Sequence, residues 1–313
     1  MRIHISTPID EAARIVAMFH EVLPDAQVAL VDGTARESSD PAGADYVVTG
    51  YRNAALFDRE RRMKAIFAFS AGVGHLLSLP NLPRDVPLIR LEDAGMGPQM
   101  VRYVLAATLR FAQGFDLYAR QQRDRRWRQV LPRAPRDIHV GVLGIGVIGG
   151  EIARALASLD FAVRGFARHP KSVAGVRCFA GEGEFNDFLQ GLDVLVAVMP
   201  LTADNAGILN RATLSRLADG AHLINIGRGA HVVEADLLAL IDEGKLSGAT
   251  LDVFRDEPLP VNHPFWSCAE VAITPHIAGT TLPDQAVMQI AAKIERLERG
   301  LPVTGIVDRK RGY

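Results

Sequence analysis

The feature that most constrains this chain of 313 residues is a glycine-rich turn between a strand pattern and a helix pattern. Residues 138–143 form an apolar run typical of a buried strand, and apolar residues recur at helical spacing over 152–157. Between them stand Gly144, Gly146 and Gly149 in the spacing Gly-x-Gly-x-x-Gly. A strand, a tight turn and a helix start in this order predict a parallel α/β unit whose turn binds the pyrophosphate of a dinucleotide.

Each glycine of this turn has a separate physical reason to lack a side chain. Gly144 permits the tight turn, Gly146 lets the backbone approach a phosphate, and Gly149 lets the helix pack on the strand. The backbone N–H groups at the start of the helix, including those of Val147 and Ile148, then face the anion at the positive end of the helix dipole. A glycine-rich turn without a ligand is the alternative, and the strand before it and the helix after it favour dinucleotide binding.

The overall composition limits the classes of partner. The chain has 35 basic and 36 acidic residues, so no global charge attracts nucleic acid or an anionic membrane. The basic stretch 120–136 is broken by an acid, a tryptophan and prolines, and is interpreted as a solvated connecting loop. Cys178 and Cys268 are far apart and match no metal-binding spacing. With neither a signal-like apolar start nor a run long enough for a membrane span, the sequence predicts a cytoplasmic protein.

Alternating strand and helix patterns predict an α/β fold with two lobes, each built on a parallel sheet. Strand patterns occur at 2–6, 27–31, 45–49, 65–69 and 87–90, and again at 138–143, 162–166, 194–198, 222–226, 249–253 and 271–274. Amphipathic helices are predicted at 9–23 and at about 283–298. The last helix is expected to return the chain to the first lobe, with a ligand-binding cleft between the lobes.

The predicted boundaries make the first lobe discontinuous. Residues 1–100 and 285–313 form the predicted substrate (catalytic) domain, and residues 101–284 form the predicted NAD(P)-binding Rossmann domain. The glycine turn lies only in the second of these, so the first lobe is expected to have a Rossmann- or flavodoxin-like layout without binding the dinucleotide.

The segment after the second strand of this domain bears on which dinucleotide binds. An NAD site usually places an acidic residue about twenty residues beyond the glycines, where it bonds the ribose hydroxyls. Here that position holds Ala167, and Arg168 and Lys171 follow. A guanidinium can pair with the 2′-phosphate of NADP, whereas a carboxylate would repel it. The pattern favours NADP(H), with NAD(H) still possible; an ordinary surface arginine is the alternative.

Three residues with catalytic chemistry follow later strands of the same domain. Arg228 comes after a strand and a glycine, where its planar guanidinium suits a carboxylate with two oxygens. Glu257 and His276 could pair, which would favour a protonated imidazole able to give a proton to a carbonyl oxygen. From spacing alone, a structural histidine and an ordinary loop glutamate remain equally open.

The order of these segments resembles a known family. The glycine turn, Asn225-Ile-Gly-Arg-Gly229, the stretch 252–260 and Thr274-Pro-His-Ile-Ala278 together resemble the D-isomer-specific 2-hydroxyacid dehydrogenases over nearly the whole chain. Within that family, the segments 95–100, 263–266 and 307–313 resemble the glyoxylate/hydroxypyruvate reductase A branch. The resemblance implies an NADPH-preferring reductase of small 2-keto acids that forms D-2-hydroxy acids by hydride transfer, and a homodimer.

The resemblance also implies residue roles. Arg228 would hold the substrate carboxylate and polarise the ketone, His276 would donate the proton in reduction, and Glu257 would orient His276. Asp252 would contact the nicotinamide end. Further cofactor-binding residues implied by the resemblance or by the glycine turn are Met199, Pro200, Leu201, Ile226, Gly227 and Gly279. Gly72, Val73 and Gly74 resemble a backbone clamp for the substrate carboxylate.

One segment departs from the reductase pattern. Where relatives of this branch carry a Trp-His-Pro-Pro stretch beside the substrate, this chain has Gly50-Tyr51-Arg52-Asn53. Either the loop has drifted without consequence, or Tyr51 and Arg52 contact the substrate and admit larger or more polar 2-keto acids, such as phenylpyruvate. A different class also stays open, because some proteins with this fold are corepressors that sense a nicotinamide nucleotide.

Overall fold

The computed structural model describes residues 1–7, 9–31, 43–50, 54–60 and 62–310. The chain divides into two compact units, the first comprising Met1–Met96 with Thr281–Tyr313 and the second comprising Gly97–Thr280. The divisions fall four residues before the boundaries proposed from the sequence, at 96 rather than 100 and at 280 rather than 284. The hydrogen bond from the Leu282 N–H to the Ala94 carbonyl ties the start of the last helix to the first unit.

The first unit contains, among its described residues, a five-stranded sheet in the order β2-β1-β3-β4-β5, with every pair parallel. Its strands are β1 (Arg2–Ser6), β2 (Gln27–Leu30), β3 (Tyr46–Thr49), β4 (Ala65–Ala68) and β5 (Leu88–Ile89). Its helices are α1 (Ile9–Val22), α2 (Ala54–Arg59), α3 (Gly74–Leu77) and the C-terminal helix (Pro283–Glu298), which is α10 in chain order.

Both faces of this sheet are covered because its strands are apolar at successive positions. In β4, Ala65 and Phe67 join one buried cluster with α1 and the C-terminal helix, while Ile66 and Ala68 join a second cluster on the other face. Since side chains alternate between faces of a strand, a continuous apolar run indicates a strand buried on both sides. The C-terminal helix packs against α1 through Val287, Ile290 and Ile294.

The second unit contains, in its described range, a seven-stranded sheet in the order β12-β11-β10-β9-β6-β7-β8, again parallel throughout. Its strands are β6 (His139–Leu143), β7 (Ala162–Ala167), β8 (Arg177–Ala180), β9 (Val194–Ala197), β10 (Ala221–Asn225), β11 (Leu246–Leu251) and β12 (Val271–Ile273). Its helices are α4 (Met96–Ala112), α5 (Phe115–Arg123), α6 (Val147–Ala157), α7 (Glu182–Leu189), α8 (Arg211–Leu214) and α9 (Glu234–Asp242). The prediction of two α/β units with parallel sheets is confirmed.

The prediction of strands was incomplete at one edge. Strand β8 was not predicted, because Arg177–Ala180 is short, partly exposed and begins with an arginine. All of the strands that were predicted do form, with ends shifted by up to a few residues. Strand β10, for example, spans Ala221–Asn225 rather than 222–226. None of the helices in the described residues is both long and apolar enough to cross a membrane.

Candidate active site

The predicted site residues of the second unit follow the carboxyl ends of neighbouring parallel strands. In the sheet order, these ends belong to β12, β11, β10, β9, β6 and β7, so the segments after them emerge at one edge. The edge has two halves. The glycine turn after β6 and the segment after β7 form one half, which we call the phosphate half. The segments after β10, β11 and β12 form the other, which we call the catalytic half.

In the glycine turn of the phosphate half, two of the three glycines have no room for a side chain, and the third has open space beside it. Gly144 has φ +115°, and a Cβ there would lie 2.9 Å from the Met199 backbone nitrogen. A Cβ on Gly149 would lie 1.9 Å from the Gly144 carbonyl oxygen, which no rearrangement of a side chain could relieve. A Cβ on Gly146 would meet no atom within 4 Å, so the missing side chain leaves an open cradle beside the backbone.

Helix α6 begins at this cradle and presents free donors to it. Gly146 precedes the helix in an extended conformation, and its N–H bonds back to the Gly144 carbonyl. The N–H of Gly150 is bonded within the turn to the Gly146 carbonyl. The N–H groups of Val147, Ile148 and Gly149 belong to the first turn, whose donors have no acceptor within the helix. An open cradle lined by such donors fits a phosphate group of a dinucleotide.

The two basic residues proposed to select the cofactor follow β7. Arg168 has a half-exposed side chain whose guanidinium lies 3.7 Å from the Asp204 carboxylate. Lys171 is exposed three residues further on. Arg168 therefore has an anionic neighbour already, but a distant and solvent-exposed one, which contributes little energy. A phosphate could take its place or share the guanidinium.

The segment after β10 is held in shape by its own polar groups. Asn225 is fully buried; its side-chain oxygen accepts the Gly227 N–H at 3.1 Å, and its side-chain nitrogen donates to the Arg228 carbonyl at 3.0 Å. A Cβ on Gly229 would lie 1.9 Å from the Phe254 carbonyl carbon. The Arg228 segment can therefore approach the segment after β11 only because residue 229 has no side chain.

The Arg228 side chain is half-buried, and most of its N–H groups donate no hydrogen bond to the described residues. One guanidinium nitrogen donates to the Gly227 carbonyl at 2.6 Å, and among the described residues this is its one hydrogen bond. Burial lowers the pKa of Arg228, and the negative charge of Glu257 opposes that change. The charge of the Glu257 carboxylate thus acts on the guanidinium, which keeps most of its N–H groups for a ligand.

His276 and Glu257, which spacing alone could not pair, form a hydrogen bond. The His276 Nδ1 lies 2.7 Å from one Glu257 oxygen, and the other Glu257 oxygen accepts the Phe254 N–H at 2.9 Å. An ionised carboxylate only accepts, so Nδ1 carries a proton and Nε2 faces away from the glutamate. His276 also adopts φ +56°, with its N–H bonded to the Asp252 carbonyl, which fixes where the ring begins.

The Asp252 carboxylate is hydrogen-bonded to the segment that carries His276. Asp252 is only 1% exposed, and its carboxylate accepts hydrogen bonds from the N–H groups of Ile277 and Ala278 at 2.8 and 2.9 Å. It also accepts from the Thr274 hydroxyl at 2.6 Å, which in turn contacts the Tyr103 hydroxyl. Asp252 therefore shapes the segment that carries His276, and its contact with the nicotinamide end stays a prediction.

The other predicted cofactor residues of the second unit border both halves. The Ile226 N–H bonds to the Ala197 carbonyl, and a Cβ on Gly227 would lie 3.0 Å from the Met199 carbonyl oxygen. Met199, Pro200 and Leu201 therefore run beside the arginine segment, immediately after β9. Gly279 is half-buried and follows Ala278, whose N–H is held by Asp252.

The predicted substrate residues of the first unit form a local turn after β4. The Ser70 hydroxyl donates to the Gly72 carbonyl at 2.8 Å, Val73 is buried, and Gly74 begins helix α3. A Cβ on Gly74 would meet nothing within 4 Å, so the backbone there is accessible. Tyr51 and Arg52 lie outside the described residues.

Sequence reasoning overlooked several residues that support these side chains. Asn225 and Thr274 were quoted only as parts of motifs, although each holds a segment that carries a predicted catalytic residue. His231 was not considered, yet its Nδ1 lies 3.3 Å from the Arg228 backbone nitrogen. The sequence does carry a signal for His231, because it is a polar residue three positions after Arg228 in an otherwise apolar stretch.

With this geometry established, comparison with known proteins identifies the class. Residues 105–278 match the family model of the D-isomer specific 2-hydroxyacid dehydrogenase NAD-binding domain, which covers the glycine turn and all three predicted catalytic residues. The chain belongs to the D-isomer-specific 2-hydroxyacid dehydrogenase family.

Two of the individual relatives are named for one branch of that family, the glyoxylate/hydroxypyruvate reductases. The chain is 42% identical to a glyoxylate/hydroxypyruvate reductase A from Serratia proteamaculans, with all of both chains aligned. It is also similar to a solved 2-hydroxyacid dehydrogenase from Xanthobacter autotrophicus in complex with NADPH and MES, at 37% identity and TM-score 0.94, covering 100% of this chain and 99% of the other. An NADPH-dependent glyoxylate/hydroxypyruvate reductase from Sinorhizobium meliloti, solved with NADP and sulfate, gives 34% identity and TM-score 0.92 over the same shares.

Proposed function

We propose that this protein is an NADPH-preferring reductase of small 2-keto acids, glyoxylate and hydroxypyruvate among them, that yields D-2-hydroxy acids. The observation that supports this most directly is the hydrogen bond between His276 and Glu257, together with a half-buried Arg228 guanidinium that interacts electrostatically with Glu257. A proton donor and a carboxylate-binding cation are the two groups that reduction of a 2-keto acid requires from the protein. The names of the full-length relatives support the same substrate class.

Arg228 is proposed to bind the substrate and to stabilise charge. Its unused N–H groups can take two oxygens of the keto acid, and a planar guanidinium matches that geometry. Negative charge grows on the ketone oxygen during reduction, so a cation fixed nearby helps the transition state more than the ground state. Asn225 and Gly229 would hold the arginine segment in place while this charge develops.

His276 is proposed to supply the proton. Its Nδ1–H is bonded to Glu257, which leaves Nε2 as the nitrogen that gives a proton to the ketone oxygen. Glu257 would fix the orientation of the ring, since its second oxygen is itself anchored by the Phe254 N–H. Asp252 and Thr274 would contribute indirectly, by holding the segment around His276 in place.

The cofactor would be bound by the phosphate half, and the nicotinamide would supply the hydride when bound. Gly144, Gly146 and Gly149, with the N–H groups of Val147 and Ile148, are proposed to hold the pyrophosphate. Arg168 is proposed to pair with the 2′-phosphate, with Lys171 adding a second positive charge. Met199, Pro200, Leu201, Ile226, Gly227, Asp252 and Gly279 are proposed to border the remainder of the cofactor, with Asp252 at the nicotinamide end. Gly72, Val73 and Gly74 are proposed as further substrate-binding residues.

The experiment that tests this function is a substrate panel. NADPH and NADH oxidation would be followed spectrophotometrically with glyoxylate, hydroxypyruvate and phenylpyruvate, and the configuration of the product from hydroxypyruvate would be determined. We expect higher kcat/KM with NADPH than with NADH, and a D-configured product. Tight NADPH binding without turnover of any 2-keto acid would contradict the proposal and would favour a nucleotide-sensing protein.

We further propose that the protein is a homodimer of the cytoplasm. Apolar side chains are exposed along α5 and the basic stretch after it, and Trp127 and Leu131 are almost fully exposed. An apolar patch of this kind is typical of a protein interface, and the family resemblance implies a second copy as its occupant. Light scattering after gel filtration should give the dimer mass, and the Leu131→Asp variant should give the monomer mass.

The state of the cysteines supports the cytoplasmic location. Cys178 and Cys268 are unpaired, as expected in a reducing compartment.

A further inference from the structure

His231 is a buried polar residue that the catalytic scheme leaves without a role. It lies in a short helical turn after β10 and is 0% exposed. Its Nδ1 accepts a hydrogen bond from the Arg228 N–H at 3.3 Å. A buried imidazole is costly to leave without partners, so its contacts are expected to serve either stability or function.

The proton of the His231 ring can be placed from these contacts. Because Nδ1 accepts from a backbone N–H, the neutral ring must carry its proton on Nε2. Burial lowers the pKa of His231 to about 4, so the ring is neutral near pH 7. Nε2 is buried and has no hydrogen bond of good geometry to the described residues.

A backbone carbonyl of the segment after β9 also acts on the His231 ring. The Pro200 carbonyl partly offsets the effect of burial on the His231 pKa, which places that oxygen close to the ring without a well-aligned hydrogen bond. The Cε1 of His231 would also lie 3.4 Å from a Cβ on Gly227, whose other close neighbours are the Met199 and Ala197 carbonyl oxygens. The ring therefore fills the space between the arginine segment and residues 199–200.

We propose that His231 is a positioning residue, which fixes the backbone of Arg228 against the Met199–Pro200 segment and so sets the direction of the guanidinium. This inference rests on the proposed function of Arg228. A shift of about 1 Å in a substrate-binding group can cost about 100-fold in rate, so a residue that never touches the substrate can control turnover. The contacts that carry the effect are one accepted N–H on Nδ1 and the packing of the ring against Gly227.

Three substitutions separate these contacts. His231→Leu keeps most of the volume and removes both ring nitrogens. His231→Asn places an acceptor near the position of Nδ1 and so keeps the bond to the Arg228 N–H. His231→Gln places a polar group near the position of Nε2 and does not. For His231→Leu we expect kcat/KM for glyoxylate to fall about 30-fold, which corresponds to about 2 kcal/mol of activation free energy, because the guanidinium is displaced from its position against the substrate.

The test compares these variants in two backgrounds, with single-turnover rates measured at excess enzyme. In the wild-type background, His231→Asn should recover to within about threefold of wild type, and His231→Gln should stay near His231→Leu. In the Arg228→Ala background, His231→Leu should cause less than about a twofold further loss, because the group it positions is already absent. The Kd of NADPH and the Tm of each variant report whether the second unit still folds.

The outcomes are separable. Wild-type levels of turnover in His231→Leu would overturn the proposal, and so would an equal loss with and without Arg228. Failure of His231→Asn to recover, with NADPH binding intact, would also overturn it. Absence of 2-keto acid reduction by the wild-type protein would instead contradict the proposed function itself, independently of His231.

Discussion

The two halves of the sheet edge in the second unit are built by opposite means. The phosphate half depends on side chains that are missing, since Gly144 and Gly149 have no room for a Cβ and Gly146 leaves an open cradle. The catalytic half depends on side chains that bond to one another, with Glu257 contacting His276 and Asn225 holding the Arg228 segment. Backbone alone can bind a phosphate, whereas proton transfer needs titratable groups held in fixed positions.

This contrast predicts that substitutions in the two halves change different quantities, and that those in the catalytic half cause the largest loss of kcat/KM. We expect Arg228→Ala and His276→Ala each to lower kcat/KM for glyoxylate by about 1,000-fold or more, because each removes a group that acts on the developing charge. The Kd of NADPH, measured by fluorescence titration, should change less than about threefold, since the phosphate half is untouched. His20→Ala, at an exposed position on α1, is the matched control and should leave both quantities unchanged. Loss of NADPH binding in either variant would show that the halves are not independent.

Dependence of stability on pH should arise within β10, the strand that leads into the catalytic half. Burial lowers the pKa of His222, on β10, to about 4. The unfolded chain binds a proton at this histidine near pH 6.5, whereas the folded chain does so only near pH 4, so the free energy of unfolding falls as the pH drops through that window. The full effect is on the order of 3 kcal/mol for this residue.

Denaturant titrations of the wild-type protein and His222→Gln at several pH values test this. Glutamine can keep a polar contact with the Thr250 hydroxyl, which lies 2.9 Å from the His222 Nε2, and it does not titrate. The slope of unfolding free energy against pH should therefore decrease by about one proton between pH 6.5 and pH 4 in the variant. An unchanged slope would mean that the ring can be protonated in the folded protein.

In the phosphate half, a single methyl group should weaken cofactor binding without harming the fold. A Cβ on Gly146 has open space around it in the protein alone, so Gly146→Ala should leave the Tm unchanged. The same Cβ would stand where the phosphate approaches, and we expect the KM for NADPH to rise about 30-fold, which corresponds to about 2 kcal/mol. Gly183→Ala, also in open space but within α7, is the control. A lowered Tm in Gly146→Ala would contradict the description of this position as an open cradle.

Cofactor preference should depend on one exposed charge and so change by less. Arg168→Ala is expected to lower the ratio of kcat/KM for NADPH to that for NADH about tenfold, because a solvent-exposed guanidinium–phosphate pair contributes about 1.4 kcal/mol. Arg211→Ala removes another half-exposed arginine that is paired with a carboxylate, and should not change the ratio. If both variants keep the wild-type ratio, another group selects the 2′-phosphate.

The smallest expected effect lies on α4, where Tyr103 contacts the catalytic half. Tyr103→Phe removes the hydroxyl that contacts Thr274, which is itself bonded to Asp252. Since the segment of His276 keeps its bonds to Asp252, we expect kcat to fall only about threefold, or about 0.6 kcal/mol. A loss of 100-fold would show that Tyr103 contributes directly to the reaction.

The same contrast explains what the sequence could predict. The glycine turn was predictable because each glycine answers a local requirement of backbone geometry, and the parallel sheets were predictable because buried strands such as β9 are continuously apolar. The hydrogen bonds of Asn225, His231 and Thr274 were not predictable, because they depend on where the chain returns after each strand. Strand β8 was missed since a four-residue edge strand with partly exposed residues has too little apolar signal.

The contact between Gly229 and Phe254 has a consequence for anyone who redesigns this enzyme. Backbone meets backbone there, so the loops at 225–231 and 252–257 cannot shift past each other or accept an insertion separately. Specificity transplanted from a relative by exchanging one of these loops alone would force a collision or open a gap. Grafts should move the two loops as a single cassette, and directed evolution of this protein should link mutations in them within the same library.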